Sequence, residues 1–305
     1  MFCPHPAAIK TSQFTINLVN EASLEAGGPD NVAVSIVNPT MEASGVMMKH
    51  KDIQLIAATG GPGVVTAVLS SGKRGIGAGA GNPPALVDET ADLHKAAKDI
   101  VDGCTFDNNL PCIAEKEIVA VESIADELMY YMEKEQGCYM IDEAQQKQLT
   151  DIVLKGGKLN RKCVGRDAKT LLGMIGITPP DGTRCISFKG EKEHPLIAEE
   201  LMMPILGVVV ANDFNDAVEK ALWLEHGNRH SAHIHSKNID HITTYARAID
   251  TAILVKNAPS YAALGFGGEG YCTFTIASRT GEGLTSASSF TKRRRCVMSE
   301  SLCIR

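Results

Sequence analysis

The apolar positions change period along the chain, and its first eighty residues alternate between helical and strand repeats. In the segment 7–28, Ile9, Phe14, Leu18, Val19 and Ala22 fall at helical spacing, and Gly27–Gly28 close the predicted helix. The run NVAVSIV at 31–37 predicts a buried strand. Thr40 is placed to cap a short helix that runs through His50, and IQLIAAT at 53–59 predicts the next strand. GGPG at 60–63 follows it directly and leads into a third helix. This order implies an α/β fold, with a parallel, doubly wound sheet of Rossmann type and ligands at the carboxyl ends of its strands.

At RGIGAGAGNPP, 74–84, the composition turns to glycine and proline, which predicts a boundary. Beyond it, 88–104 reads as a capped helix, 117–121 as a strand, and 123–136 and 142–154 as helices. Alternation continues to about residue 275, and a glycine loop with one closing strand ends the chain. The expected division is 1–80 as a partial nucleotide domain, 81–275 as an α/β catalytic domain, and 276–305 as a C-terminal loop and oligomerisation strand. No repeat or low-complexity segment interrupts it.

Composition narrows the function classes. The 305 residues are 44% hydrophobic and 22% charged, which suits a soluble protein with a sizeable core. A net charge of -6 argues against general nucleic-acid binding, which needs a basic face. The one dense basic run, Lys292 to Arg295, reads as a solvated strand edge. The longest apolar run, Met202 to Ala211, is about half the ~20 residues that a membrane crossing requires. No secretory signal opens the chain, and its nine cysteines form no CxxC pair, so neither a zinc ribbon nor a thioredoxin-type site is indicated. A cytoplasmic protein with free thiols is expected.

Four stretches carry candidate chemistry. The Gly60–Gly63 turn, between strand and helix, fits either a phosphate cradle or an ordinary tight turn. LEHGNRHSAHIH at 224–235 gathers His226, His230, His233 and His235. Gly227 reads as a helix C-cap, so the first two need share no helical face, while the last two share a strand face. No acid completes zincin spacing, and packed or substrate-proximal histidines are expected rather than a metal site. Glu199 and Glu200 precede a long apolar run, as a solvated helix end or as a carboxylate gripping ribose hydroxyls. Cys112, in the polar loop FDNNLPCIAEKE, reads alone as a small hydrophobe or as a nucleophile. A nucleotide half, a glycine hinge and this loop, in that order, favour the nucleophile.

FDNNLPCIAEKE, ATGGPGVVTAVLSSGKRGIGAGAGNPPALVDETADL, HPLIAEELMMPILG, EHGNRHSAHIHS and FTIASRTGEGLTSAS together resemble the coenzyme A-acylating aldehyde dehydrogenases of ethanolamine and propanediol utilisation. The resemblance covers essentially the whole chain. It implies Cys112 as the catalytic cysteine, Glu200 on the nicotinamide-side ribose, Thr59, Gly60, Gly61 and Gly63 as the nucleotide-phosphate turn, and His5 beside the adenosine ribose. The implied cofactor is NAD, with coenzyme A and acetaldehyde or propionaldehyde as co-substrates. The implied partners are further copies of the chain or full-length subunits, with microcompartment residence in relatives. Family members carry well over a hundred residues ahead of Met1, including an oxyanion-hole asparagine and, in microcompartment members, a targeting peptide. The alternative expectation is therefore a catalytically incomplete fragment that persists as an oligomer partner.

One position bears on mechanism. Hydrolytic members of the wider family have a glutamate 34 residues before the cysteine, and here that position is Ala78. That glutamate activates water, so its loss favours resolution of the acyl-enzyme by a thiol. A hydrolytic dehydrogenase is the third reading, with Ala78 against it. The implied route is addition of Cys112 to the aldehyde, hydride loss to NAD⁺, and transfer of the acyl group to coenzyme A.

Overall fold

The computed structural model describes residues 1–268, 272–274, 285–297 and 299. It divides into two compact units, Met1–Ala58 with Thr66–Ile76, and Thr59–Val65 with the residues from Gly77 onward.

In the first unit, α1 (Ile9–Glu25) ends where Gly27 takes a left-handed backbone at φ 76°. Helix α2 (Met41–Lys49) is capped by Thr40, whose side chain accepts the Ala43 N–H at 3.0 Å. Strands β1 (Leu55–Thr59) and β2 (Arg74–Ala78) form a two-stranded sheet on either side of α3 (Pro62–Leu69), and both leave this unit at their last residues.

One expectation fails in this unit. The run 31–37 forms no ladder, only one bridge from Ser35 to Phe2. The Asn20 side chain occupies the edge instead, accepting the Ala33 N–H and donating to the Ala33 carbonyl. Asn31 at φ 55° turns the chain out of an extended path. The apolar spacing of α1 predicts the helix but not its burial: Ile16 is buried, while Phe14, Leu18 and Val19 are 65%, 47% and 48% exposed.

The second unit is built on a seven-stranded sheet. After β3 (Pro84–Val87), α4 (Leu93–Thr105) leads to β4 (Glu117–Val121), α5 (Glu122–Gln136) and β5 (Cys138–Met140). Helix α6 (Glu143–Val153), the antiparallel hairpin β6 (Leu154–Lys155) and β7 (Lys158–Leu159), and α7 (Ala168–Met174) form an excursion before β8 (Cys185–Lys189). Then follow α8 (Pro195–Ala198), β9 (Ile205–Ala211), α9 (Phe214–Glu225), β10 (Ser231–His235), α10 (Ile239–Ile249) and β11 (Ile253–Lys256). The strand order is β11-β10-β3-β4-β9-β8-β5, and every pairing is parallel. Every residue of β3, β4 and β10 is buried, so both faces of the sheet are covered, as parallel sheets require.

The glycine-rich stretch 74–84, expected as a plain boundary, also contains β2 and the start of β3. Strands β5 and β8 were not foreseen as pairs, because β5 is only three residues long. Among the described residues of the closing segment, Ala287–Phe290 is a 3-10 turn and 292–297 are exposed without a ladder, and the rest of the expected strand lies outside the described residues. Most of FTIASRTGEGLTSAS lies outside the described residues.

Candidate functional site

Four segments converge where the chain enters neighbouring strands at their amino ends. Gly81–Asn82 precede β3, Cys112 precedes β4, Glu200–Met202 precede β9, and His230 precedes β10, and these strands are adjacent in the order β10-β3-β4-β9. The Gly60 turn follows the carboxyl end of β1, whereas the cysteine lies at the amino ends of the strands in the second unit. The difference has an electrostatic consequence. Amino ends of strands in such a fold face the C-termini of the helices, here α4 and α9, whose dipoles disfavour a nearby anion.

The loop that delivers Cys112 is held under strain. Asp107, Asn108 and Asn109 have φ of 47°, 51° and 64°, three successive left-handed residues without a glycine. Left-handed backbone costs ~1–2 kcal/mol per ordinary residue, and Asp and Asn tolerate it best. Side chains hold the turn in place. Asn109 Nδ2 donates to the carbonyls of Cys104 at 3.0 Å and Glu115 at 2.9 Å. Asn108 Nδ2 donates to the Gly165 carbonyl at 3.0 Å.

Buried Lys116 closes the loop from below. Its Nζ donates to Asn109 Oδ1 at 2.5 Å, to the Asn109 carbonyl at 3.1 Å and to the Pro111 carbonyl at 3.4 Å. Burial lowers its pKa, against the pull of Glu200 and other acidic neighbours. Glu115 is also fully buried, accepts the Ser260 N–H at 2.9 Å, and is pushed up to about 8 by burial.

Cys112 borders a cavity of about 710 Å³, lined by Thr59, Phe106, Leu110, Met202, Leu264 and Phe274 among others. Its thiol is pushed up to about 11, first by burial and then by Glu200, with Lys116 acting in the opposite direction. Roughly one thiol in a thousand is ionised at pH 8 on that footing, so the loop stores a thiol rather than a ready thiolate.

Gly81 is the point of closest approach. A Cβ there would lie 3.0 Å from the Cys112 carbonyl oxygen and 3.1 Å from the His230 ring, so a side chain would force these segments a few tenths of an ångström apart. The Gly81 N–H also donates to the Glu200 carboxylate, whose pKa is raised by burial and lowered by Lys116. His230 is fully buried, and its Nδ1 shares a hydrogen bond with Ser231 Oγ at 2.8 Å while Nε2 has no partner. Burial depresses its pKa to about 4, so the ring is neutral and can accept a proton. Ala78, where a water-activating glutamate would stand, is 1% exposed and packs in an apolar cluster with Ile113, against which Cys112 lies.

The remaining candidates sort as follows. The Gly60 N–H is spent on the Ala78 carbonyl, and a Cβ on Gly61 or Gly63 would meet nothing within 4 Å, leaving open backbone ahead of α3. His5 belongs to the first unit, where Nδ1 accepts the Ala7 N–H at 3.2 Å and caps a short turn. The histidines of 224–235 disperse: His226 bonds the Ala198 carbonyl, His230 faces Gly81, and His233 and His235 are buried in β10 with pKa values near 3. The helix ends at His226 and Gly227, both left-handed. Among the described residues the one group with metal-ligand geometry is Asp88, Glu89 and His241, which includes none of these four. Sequence reasoning passed over Lys116, Gly81 and Asn109. Nothing in a charged run or a glycine-rich stretch marks which member is buried.

The chain belongs to the aldehyde dehydrogenase family, whose model matches residues 7–291. It is 45% identical over 305 residues to the propanal dehydrogenase (CoA-propanoylating) of Salmonella typhimurium, covering 100% of this chain and 66% of that one. Among solved structures it resembles a propionaldehyde dehydrogenase from the Clostridium phytofermentans fucose utilisation bacterial microcompartment, at TM-score 0.96 and 76% identity over 100% of this chain and 70% of the other. That protein has also been solved with alanine in place of one histidine and of one cysteine. A propionaldehyde dehydrogenase of Rhodopseudomonas palustris, solved with bound CoA and an acylated cysteine, matches at TM-score 0.94 and 51% identity over 97% of this chain and 68% of the other. The chain thus spans 66% of the length of the curated relative. No helix among the described residues is long and apolar enough to cross a membrane.

Proposed function

We propose that this protein oxidises a short aliphatic aldehyde to an acyl-coenzyme A thioester, with Cys112 as the covalent nucleophile. The supporting observation is the crossing at Gly81, which sets the Cys112 loop, Glu200 and a neutral His230 around one point beside an apolar cavity. The residues replaced by alanine in the C. phytofermentans protein are separated by as many positions as Cys112 and His230 are here.

The open turn at Gly61 and Gly63 fits the diphosphate of NAD, with Thr59 at its start and Glu200 for the nicotinamide-side ribose. When bound, that cofactor accepts the hydride. The chain's own residues do the rest. Cys112 gives its proton to solvent and its thiolate bonds the aldehyde carbon, with Lys116 favouring the thiolate through charge. Departure of the hydride leaves an S-acyl cysteine. With Ala78 in place of a base, water is not activated, and the thiol of coenzyme A is the better nucleophile. In this reading neutral His230, whose Nε2 has no partner, takes that thiol's proton as the new C–S bond forms and Cys112 leaves as thiolate. Further copies of the chain are the expected partners and the cytoplasm the expected location, with a microcompartment as the alternative that the relative from the fucose utilisation compartment suggests.

The test is NADH absorbance with propionaldehyde and NAD⁺, with and without coenzyme A, in wild type and Cys112→Ala. Turnover that requires coenzyme A, and is absent from the variant together with the acyl adduct on the Cys112 peptide, is the expected result. Activity that persists in Cys112→Ala would overturn the assignment.

A further inference from the structure

Helix α9 ends on an anomaly. Its last residue is Glu225, only 3% exposed, and a carboxylate at a helix C-terminus opposes the dipole. The three residues His226, Gly227 and Arg229 that follow within the next turn are left-handed, at φ 59°, 68° and 54°, and two of them are not glycine. A local choice that conflicts with both charge and backbone preference marks a site where something else is gained.

The gain is visible in the hydrogen bonds. Glu225 Oε1 accepts the His230 N–H at 3.0 Å, and the N–H groups of Arg229 and Gly227 also turn to this carboxylate. The turn folds over its own acid, and its exit residue is His230. The same turn reaches the neighbouring site segment, because His226 Nε2 bonds the Ala198 carbonyl at 2.7 Å, two residues before Glu200. Asn82, next to Gly81, donates to the Leu224 carbonyl at 3.1 Å and the Ile197 carbonyl at 3.3 Å, tying the start of this turn to the same segment.

We propose that Glu225 is a positioning residue for the acyl-transfer half of the reaction, its carboxylate clamping the 226–230 turn and so holding His230 against Gly81 and the Cys112 carbonyl. This rests on the reading of His230 as the acceptor of the coenzyme A thiol proton. Glu225 touches no substrate in this scheme. It acts by fixing the backbone that carries the ring, and because it needs only an accepting oxygen, a glutamine serves in its place. Leucine does not, and leaves the His230 N–H without its acceptor.

The experiment compares wild type, Glu225→Gln and Glu225→Leu in two assays on the full chain. In the first, diethyl pyrocarbonate labels histidines and peptide mapping follows His230, with buried His233 and His235 as internal controls. His230 is expected to react at least about tenfold faster in Glu225→Leu than in wild type or Glu225→Gln, with the two controls unchanged. Equal His230 rates in all three proteins would overturn the proposal, as would a matching rise at His233 and His235, which would make Glu225 a residue of general stability. In the second assay, the NADH burst without coenzyme A should stay within about threefold in Glu225→Leu, while coenzyme A-dependent turnover falls about 10–100-fold and recovers in Glu225→Gln. Equal losses of burst and turnover would again overturn it. If the wild type forms no NADH, the catalytic reading fails by itself, and the labelling assay still decides whether Glu225 positions the ring.

Discussion

Helices α1 and α5 have comparable length and similar apolar spacing, yet they end in opposite surroundings. Helix α5 buries Ile124, Ala125, Leu128 and Met132 against the sheet of the second unit, and α1 buries only Ile16. In the second unit, consecutive parallel strands bring helices to both faces, so each apolar stripe meets one already in place. In the first unit, the run 31–37 is occupied by an asparagine side chain instead of a neighbouring strand, and Val32, Val34 and Val37 remain 51%, 38% and 69% exposed. Periodicity specifies an element. Burial depends on whether a partner surface exists.

The largest test of that contrast is truncation of equivalent leucines. Leu128→Ala removes a side chain with no exposed surface, and a loss of about 2–5 kcal/mol is expected in urea unfolding. Leu18→Ala removes one that is 47% exposed, and a change within about 0.5 kcal/mol is expected. A comparable loss at Leu18 would mean that α1 is covered in solution, and the contrast would collapse.

A second test uses the charge that only the second unit buries. Glu115 is raised from 4.5 to about 8 by burial, with the Ser260 N–H pulling the other way. An acid whose folded pKa is raised favours folding while protonated. Its contribution is complete below about pH 4.5 and is lost as pH rises through about 8. Wild type should therefore lose about 1.4 kcal/mol per pH unit relative to Glu115→Gln across that window, and nothing further above it. The difference is read from paired denaturation curves at pH 5, 6, 7 and 8. Parallel stability curves would show that the carboxyl is solvated, and that the floor of the Cys112 loop is open to water.

These tests also separate what the sequence discloses from what it conceals. The α/β order, the Thr40 cap, the capped helix beyond residue 88 and β4 were legible, because each depends on neighbours within a few residues. The resemblance supplied Cys112, and the replacement at Ala78 could be read by counting. What stayed hidden depends on contacts distant in the chain. That Gly81 leaves little room for a side chain follows from His230, far along the sequence, and that Lys116 is buried follows from Asn109 folding back in a left-handed turn. The three residues DNN look like an ordinary polar loop until their backbone angles are known. The placement of the thiol at amino rather than carboxyl strand ends is a property of topology, and strand order cannot be counted from one sequence.

The smallest expected effect sharpens the comparison from the other side. Thr40 caps α2 in the first unit by accepting the Ala43 N–H at 3.0 Å, and Asp142 caps α6 in the second by accepting the Gln145 N–H at 2.9 Å, within a capping box. Both caps are exposed and satisfy a donor that the helix itself cannot. Alanine at either site should cost about 1 kcal/mol, with Asp142 slightly more because Gln145 returns a bond to the Asp142 N–H. If depth of burial governed every interaction, the cap in the second unit would cost several times more. Hydrogen exchange of each helix's first turn measures the two separately. Near-equal losses would show that the units differ in the surfaces they pair and share the same local chemistry, whereas a large excess at Asp142 would mean that the core of the second unit reaches even its exposed helix ends.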